Sequence, residues 1–325
     1  MMAEAAVIEP DLPIVDPHHH LWDFPHSTYL VPEMMENLSS GHNVRATVFV
    51  QCGAMIRENG PEELRTLGET EFVNGVAASF ASGIYGTVRP CKGVVAQVDL
   101  MHGAAAGAVL DRHAAAAGER FKGIRHITAW NSDSNLLNPR NRVFDGMMAT
   151  PEFRAGFAEL GKRNLVFDAW LLHPQIDELY NLANSFPDTA IVLNHLGGPI
   201  GVGPYSGRRQ DAFEEWRLAL GRLAACGNVV LKVGGLGMPM CGFDFHLRDE
   251  RTSEAEIADK WRPYVMEAIS LFGPDRCMFE SNFPVDRISC DYITLWNVFK
   301  LIAAGFTASE KAMLFQDTAS RIYSL

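Results

Sequence analysis

The stretch Ile14-Val15-Asp16-Pro17-His18-His19-His20-Leu21-Trp22-Asp23 reads as a short apolar strand that runs out into ionisable side chains. Strand side chains alternate between faces, so the spacing predicts Asp16, His18 and His20 on one face and His19 on the other. Residues two apart on a strand have Cα atoms roughly 6.5–7 Å apart, close enough for both imidazoles to reach one metal ion or one carbonyl oxygen. A tag-like, solvated polar run is the competing reading. Against it, the histidine run is short, and apolar Ile14-Val15 and Leu21-Trp22 bracket it.

Further apolar runs follow at Ala46–Cys52, Gly93–Leu100, Phe121–Ala129, Asn164–Leu172, Ala190–Leu196, Asn228–Gly234 and Arg276–Asn282, making eight with Ile14–His20. Segments of helical period separate them. Pro61–Ser79 follows the second run, Ala104–Ala117 the third, Pro151–Arg163 the fourth and Pro174–Ser185 the fifth. Asp211–Cys226, Glu254–Phe272 and Ser289–Ala303 follow the last three. Continuously apolar strands, each followed by a helix, belong to a parallel sheet covered by helices. Eight such units predict an α/β fold of the (β/α)8 TIM-barrel type, which needs about 250 residues before insertions. The surplus falls in long loops after strands 1, 6 and 7, at Asp23–Arg45, Gly197–Gln210 and Leu236–Ser253, on the face where barrels carry active sites. No Gly-x-Gly-x-x-Gly follows an early strand, which counts against a doubly wound open sheet. With no linker or internal repeat, residues 1–325 are expected to form one domain.

Composition narrows the function. A chain of 325 residues with 47% hydrophobic residues suffices for one large core. The net charge of -11, without a basic cluster, argues against nucleic acid as a partner and leaves a small-molecule substrate. The six cysteines show no Cys-x-x-Cys spacing, the first ten residues lack Lys and Arg, and no apolar run approaches a membrane span of about 20 residues. A cytoplasmic protein with no membrane association is expected. Sequence leaves a homo-oligomer open: Ala308–Leu325 either seals the barrel or meets a neighbouring subunit.

Ionisable residues collect at the ends of the runs. The fourth carries Lys122, Arg125 and His126, and the fifth carries Asp168 and is followed by His173. The sixth ends in Asn194-His195, the seventh holds Lys232, and the eighth reads Met278-Phe279-Glu280-Ser281-Asn282-Phe283-Pro284-Val285-Asp286. Such groups are costly to bury unless they are paired or used.

Asp16-x-His18-x-His20, Phe121-Lys-Gly-Ile-Arg125, Asn194-His195-Leu-Gly-Gly-Pro199, Leu231-Lys232-Val-Gly-Gly235 and Phe279-Glu-Ser-Asn-Phe-Pro284 together resemble the amidohydrolase superfamily. Within it, they are most similar to the amidohydrolase-2 group of sugar lactonases and pyrone-dicarboxylate lactonase. The ending Asp317-Thr-Ala-Ser-Arg-Ile-Tyr323 is similar to that group's as well. The resemblance implies that His18 and His20 are first-strand ligands or oxyanion stabilisers and that His195 is the later-strand histidine of the same site. It also implies an aspartate base on the eighth strand, but the group's Ser-Asp-Trp-Pro stands here as Ser281-Asn282-Phe283-Pro284. Asparagine accepts no proton at neutral pH, so the catalytic candidates at that end are Asn282 itself, Glu280 two residues earlier and Asp286 four later.

An amide is also a weaker cation partner than a carboxylate. Two forms of the site therefore stand side by side. In one, a divalent metal, zinc by ligand type, is held by His18, His20 and His195. In the other, a metal-free site uses the histidines with Lys232 or Arg125 to stabilise an oxyanion. Arg125 also suits a substrate carboxylate, because its planar fork matches that group.

Each further candidate has a structural alternative. Lys232 either serves substrate or pairs with Glu280 to neutralise the interior. His126 has the opposite parity from Arg125, so one of the two faces the helices. His173 lines the site or caps a helix, and His246 belongs to a lid or to the solvated surface. Trp22, Trp130 and Trp170 lie near strand ends, where they either wall the substrate or pack in the core. The expected activity is hydrolysis of a small carboxylic ester or lactone. The alternatives are a decarboxylase or hydratase on the same barrel, and an inactive binding protein.

Overall fold

The computed structural model describes residues 6–325. Strand β1 (Pro13–His19) leads into a hairpin of β2 (Trp22–Phe24) and β3 (Ser27–Tyr29) and a short helix, α1 (Val31–Leu38). The expected first loop thus has secondary structure of its own. The chain then alternates β4 (Asn43–Val50), α2 (Leu67–Ala81), β5 (Arg89–Ala96), α3 (Ala106–Ala117), β6 (Phe121–Ile127), α4 (Pro151–Gly161), β7 (Val166–Trp170) and α5 (Ile176–Ser185). It continues with β8 (Ile191–Leu193), α6 (Arg209–Ala224), β9 (Val229–Val233), α7 (Glu254–Phe272), β10 (Cys277–Phe279) and α8 (Tyr292–Ile302), and ends in α9 (Ala308–Ala312) and α10 (Thr318–Ile322). β1 and β4 to β10 pair in parallel, in sequence order, as one eight-stranded sheet with helices between the strands: a (β/α)8 barrel.

Closure between the first and last strands is made past the end of β10. Asn282 N–H donates to His18 O at 2.9 Å, and His20 N–H to Phe283 O at 2.8 Å. The seam therefore holds the first-strand histidines against the Ser281–Phe283 segment.

β1 departs from simple alternation. Its register against β4 slips between Asp16 and His19. Proline at 17 donates no backbone hydrogen bond, and the extra residue at such a slip flips the side-chain parity. Val15 packs with the interior residues, whereas Asp16 accepts from Ser281 N–H (3.0 Å) and the Tyr292 hydroxyl (3.4 Å) on α8. Asp16 thus does not share a face with His18 and His20, as strict alternation predicts. His19 does face the opposite way, with its ring against Thr47 and Cys91.

Two apolar layers result. Helices and outward strand faces bury the larger one, including Trp216, Trp261 and Trp296. A smaller one fills the barrel with Val15, Ala46, Val48, Val50, Val95, Val166, Val192, Val230 and Met278, joined by Ala319 and Tyr323. The Ala308–Leu325 segment plugs the barrel through Ala319 and Tyr323. No described helix is long and apolar enough to cross a membrane.

Candidate active site

The apolar strands place their charged residues in the lumen above that small core. The carboxylate of Glu280, just past β10, lies between two histidines. His195 Nδ1 is 2.7 Å from Oε1, which also accepts the His195 backbone N–H at 3.0 Å. His18 Nδ1 is 2.8 Å from Oε2, yet Oε2 has no hydrogen-bond partner. β8 stops at Leu193 rather than at Leu196 because the chain turns there: His195 and Leu196 take φ of 53° and 56°. That turn aims the His195 amide and ring at Glu280, with the ring 4.7 Å from that of Trp170. Glycines make the approach possible. A Cβ on Gly234 would come within 2.5 Å of Glu280 Cγ, and one on Gly235 (φ 69°) within 2.6 Å of His195 Cβ.

Arg125, on β6, lies on the other edge of His18. Its Nη1 is 3.3 Å from His18 Nε2, and Nη2 donates to Gln51 O at 2.5 Å. Arginine only donates, so Nε2 is the acceptor in that contact. Arg125 Nε is buried without a partner. Lys232, on β9, pairs with Asp168 on β7 at 2.5 Å rather than with Glu280, and its Nζ is 3.4 Å from His18 Nδ1. Asp168 also accepts from Asn194 Nδ2 at 2.9 Å and from the Tyr323 hydroxyl at 2.8 and 3.0 Å. The carboxyl-terminal plug therefore touches the ion pair directly.

Burial dominates the electrostatics. It holds His18, His20 and His195 well below the ordinary histidine range, reinforced by nearby Lys232 and Arg125, so all three are neutral. Burial also pushes Glu280 up to about 8, against the opposing pull of Lys232. Asp286 rises to about 7 for the same reason, although Asn282 and Gly237 N–H donate to it at 2.8 and 3.1 Å.

The candidates separate accordingly. His18, His195 and Glu280 offer ligand atoms within 4.8 Å of one another, a set able to hold a metal ion. His20, expected as a third ligand, is outside this group and Glu280 is inside it, so the gathered set is two histidines and a carboxylate. His20 instead engages Val50 O through Nδ1 (2.8 Å) and stacks on Trp22 at 5.7 Å. Asn282 and Asp286 are bonded to each other. His173 is buried with Nδ1 accepting from Ile200 N–H and its ring against Tyr205. His126 Nδ1 accepts from Leu100 N–H. Trp130, half-buried, donates its backbone N–H to Gln175. His246 lines a mouth hollow. Asp168, Gln51 and Tyr323 join the network; of the three, the sequence marks only Asp168, among the ionisable residues at strand ends. A lone aspartate in Val-Phe-Asp-Ala-Trp was the one available signal.

Two buried groups without partners, Glu280 Oε2 and Arg125 Nε, thus lie on either side of His18: an acceptor able to take a proton and a donor able to meet an oxyanion.

Comparison with known proteins shows the family. The amidohydrolase family model matches residues 15–325. An uncharacterized protein, y4mH, of Sinorhizobium fredii is 34% identical over 339 residues, covering 96% of this chain and 99% of the relative. An L-fucono-1,5-lactonase of Burkholderia multivorans is 27% identical over 209 residues, 64% of either chain. Among solved structures, an amidohydrolase from Burkholderia multivorans with bound zinc superposes with a TM-score of 0.74 at 22% identity, covering 96% of this chain and 99% of that one.

Proposed function

This chain belongs to the amidohydrolase family and is an amidohydrolase-like hydrolase, and from that premise we propose that it opens a lactone by attack of water on the ring carbonyl. The observation that carries the reading is the Glu280 carboxylate set between neutral His18 and His195, with one oxygen unpartnered. The lactonase relatives favour a cyclic ester over an amide.

Once ionised, which burial delays to about pH 8, Glu280 takes a proton at Oε2 from water as the water oxygen bonds to the carbonyl carbon. The carbonyl becomes an oxyanion, and the free Arg125 N–H answers it. Collapse of the tetrahedral intermediate breaks the ring C–O bond. The departing alkoxide takes the proton back from Glu280, leaving a hydroxy acid whose carboxyl group gives its remaining proton to solvent and stays beside Arg125 as the carboxylate. Lys232, paired with Asp168, sets a cation beside His18.

The donor set of two imidazoles and a carboxylate, with a buried oxygen unpartnered, fits a divalent cation of the zinc type. His18, His195 and Glu280 would hold it, and it would supply polarisation of the carbonyl and a more acidic water.

The inactive-barrel alternative rested on Asn282, and it loses its motive once Glu280 supplies a carboxylate to the same centre. A panel of five- and six-membered lactones, followed by proton release, tests the proposal. Turnover of at least one supports it. Carbon dioxide release from aromatic acids, with every lactone untouched, would contradict it.

A further inference from the structure

A hollow of about 490 Å³ opens at the barrel mouth, within the usual size range of small-molecule sites. Its lining comes from the segments after β6, β8, β9 and β10, all following strand carboxyl ends. Its lining follows the site residues closely along the chain. Val285 lies three residues past Asn282 and donates its N–H to Asn282 O at 2.8 Å, while Met238 lies three past Gly235, the glycine under His195. Leu136, Val202, Met238, Met240 and Val285 make the lining mostly apolar. Asp244 and His246 are its ionisable groups, and neither Lys nor Arg is present.

From this lining, and resting on the lactonase reading above, we infer that the substrate is a lactone with a neutral, apolar substituent, an alkyl or aryl group, seated against Met238 and Met240. A polyhydroxylated sugar ring would bury hydroxyls against carbon there with few partners, and each unpaired hydroxyl is costly. A second carboxylate would meet Asp244 with no cation to balance it. Methionine's flexible thioether suits substituents of varied shape. Arg125 is reserved for the carboxylate that forms at the reaction centre, so the two ends of the substrate are recognised by opposite chemistry.

The test compares δ-valerolactone, δ-dodecalactone and glucono-1,5-lactone, which share a six-membered ring and differ in what it carries. The alkyl chain is expected to raise kcat/KM about tenfold or more over the bare ring, chiefly through KM, with the sugar lactone below both. Met240→Glu, and the milder Met238→Gln, should bring the ratio between the first two lactones toward one. Preference for the sugar lactone, or equal use of the bare and alkylated rings, overturns the inference. If no lactone is turned over, the hydrolytic reading fails separately, and thermal shift decides this one. A rise in Tm with δ-dodecalactone that δ-valerolactone does not give, and that Met240→Glu abolishes, supports it; no such rise overturns it.

Discussion

At the scale of single residues, the exchange between positions 280 and 282 defines this site. Asn282 uses its amide to donate to Asp286, a carboxyl that burial already pushes up to about 7. Asn282→Asp would replace that donor by a second buried carboxylate. The variant should be less stable by about 1–3 kcal/mol. Carboxyls raised by burial cost the fold more as pH climbs above their unfolded value, so urea melts should show a larger deficit at pH 8 than at pH 5. An equal deficit at both would mean that the two side chains do not interact. His113 illustrates the opposite sign. Packed between Thr66 and Thr70 and held at about 4 by burial, it stays neutral in the fold while the unfolded chain takes up a proton near 6.5. Its contribution is present above pH 6.5 and is lost as pH falls toward 4. Relative to His113→Gln, the parent protein should lose roughly 3 kcal/mol across that window, measured by denaturant midpoints.

At the scale of elements, the β9 end and the carboxyl-terminal plug position the site from above and below. Gly235 combines φ of 69° with backbone pressed on His195, so Gly235→Ala should leave a folded barrel in which His195 has lost its place against Glu280. Unchanged circular dichroism with turnover lost is the expected pair of results. Tyr323 reaches Asp168 from the plug, and Tyr323→Phe should cost about 1.5–3 kcal/mol, the range for a hydrogen bond to a buried charge. The strand-then-helix order was legible because buried parallel strands read as continuous apolar runs. The Asp16 face was not, because a register slip beside Pro17 undoes the alternation on which the reading rests. Neither was Tyr323, since nothing local in a carboxyl-terminal tyrosine announces a partner 155 residues away.

At the scale of the whole molecule, the barrel gathers residues from six strands or strand ends around one buried carboxylate. His18 and His195 were legible as strand-end histidines, and Arg125 and Lys232 as charges too costly to bury idly. Their pairing was not, because sequence gives the face of a strand but not which strands lean together across the lumen. Lys232 met Asp168 instead of Glu280 for that reason. The central claim is that Glu280, between His18 and His195, takes the proton from attacking water. Steady-state kinetics of Glu280→Gln on the best lactone of the panel tests it most directly. The account predicts kcat lowered by about 10²–10⁴-fold, with KM changed little and the fold retained; a kcat within tenfold of the parent would contradict it.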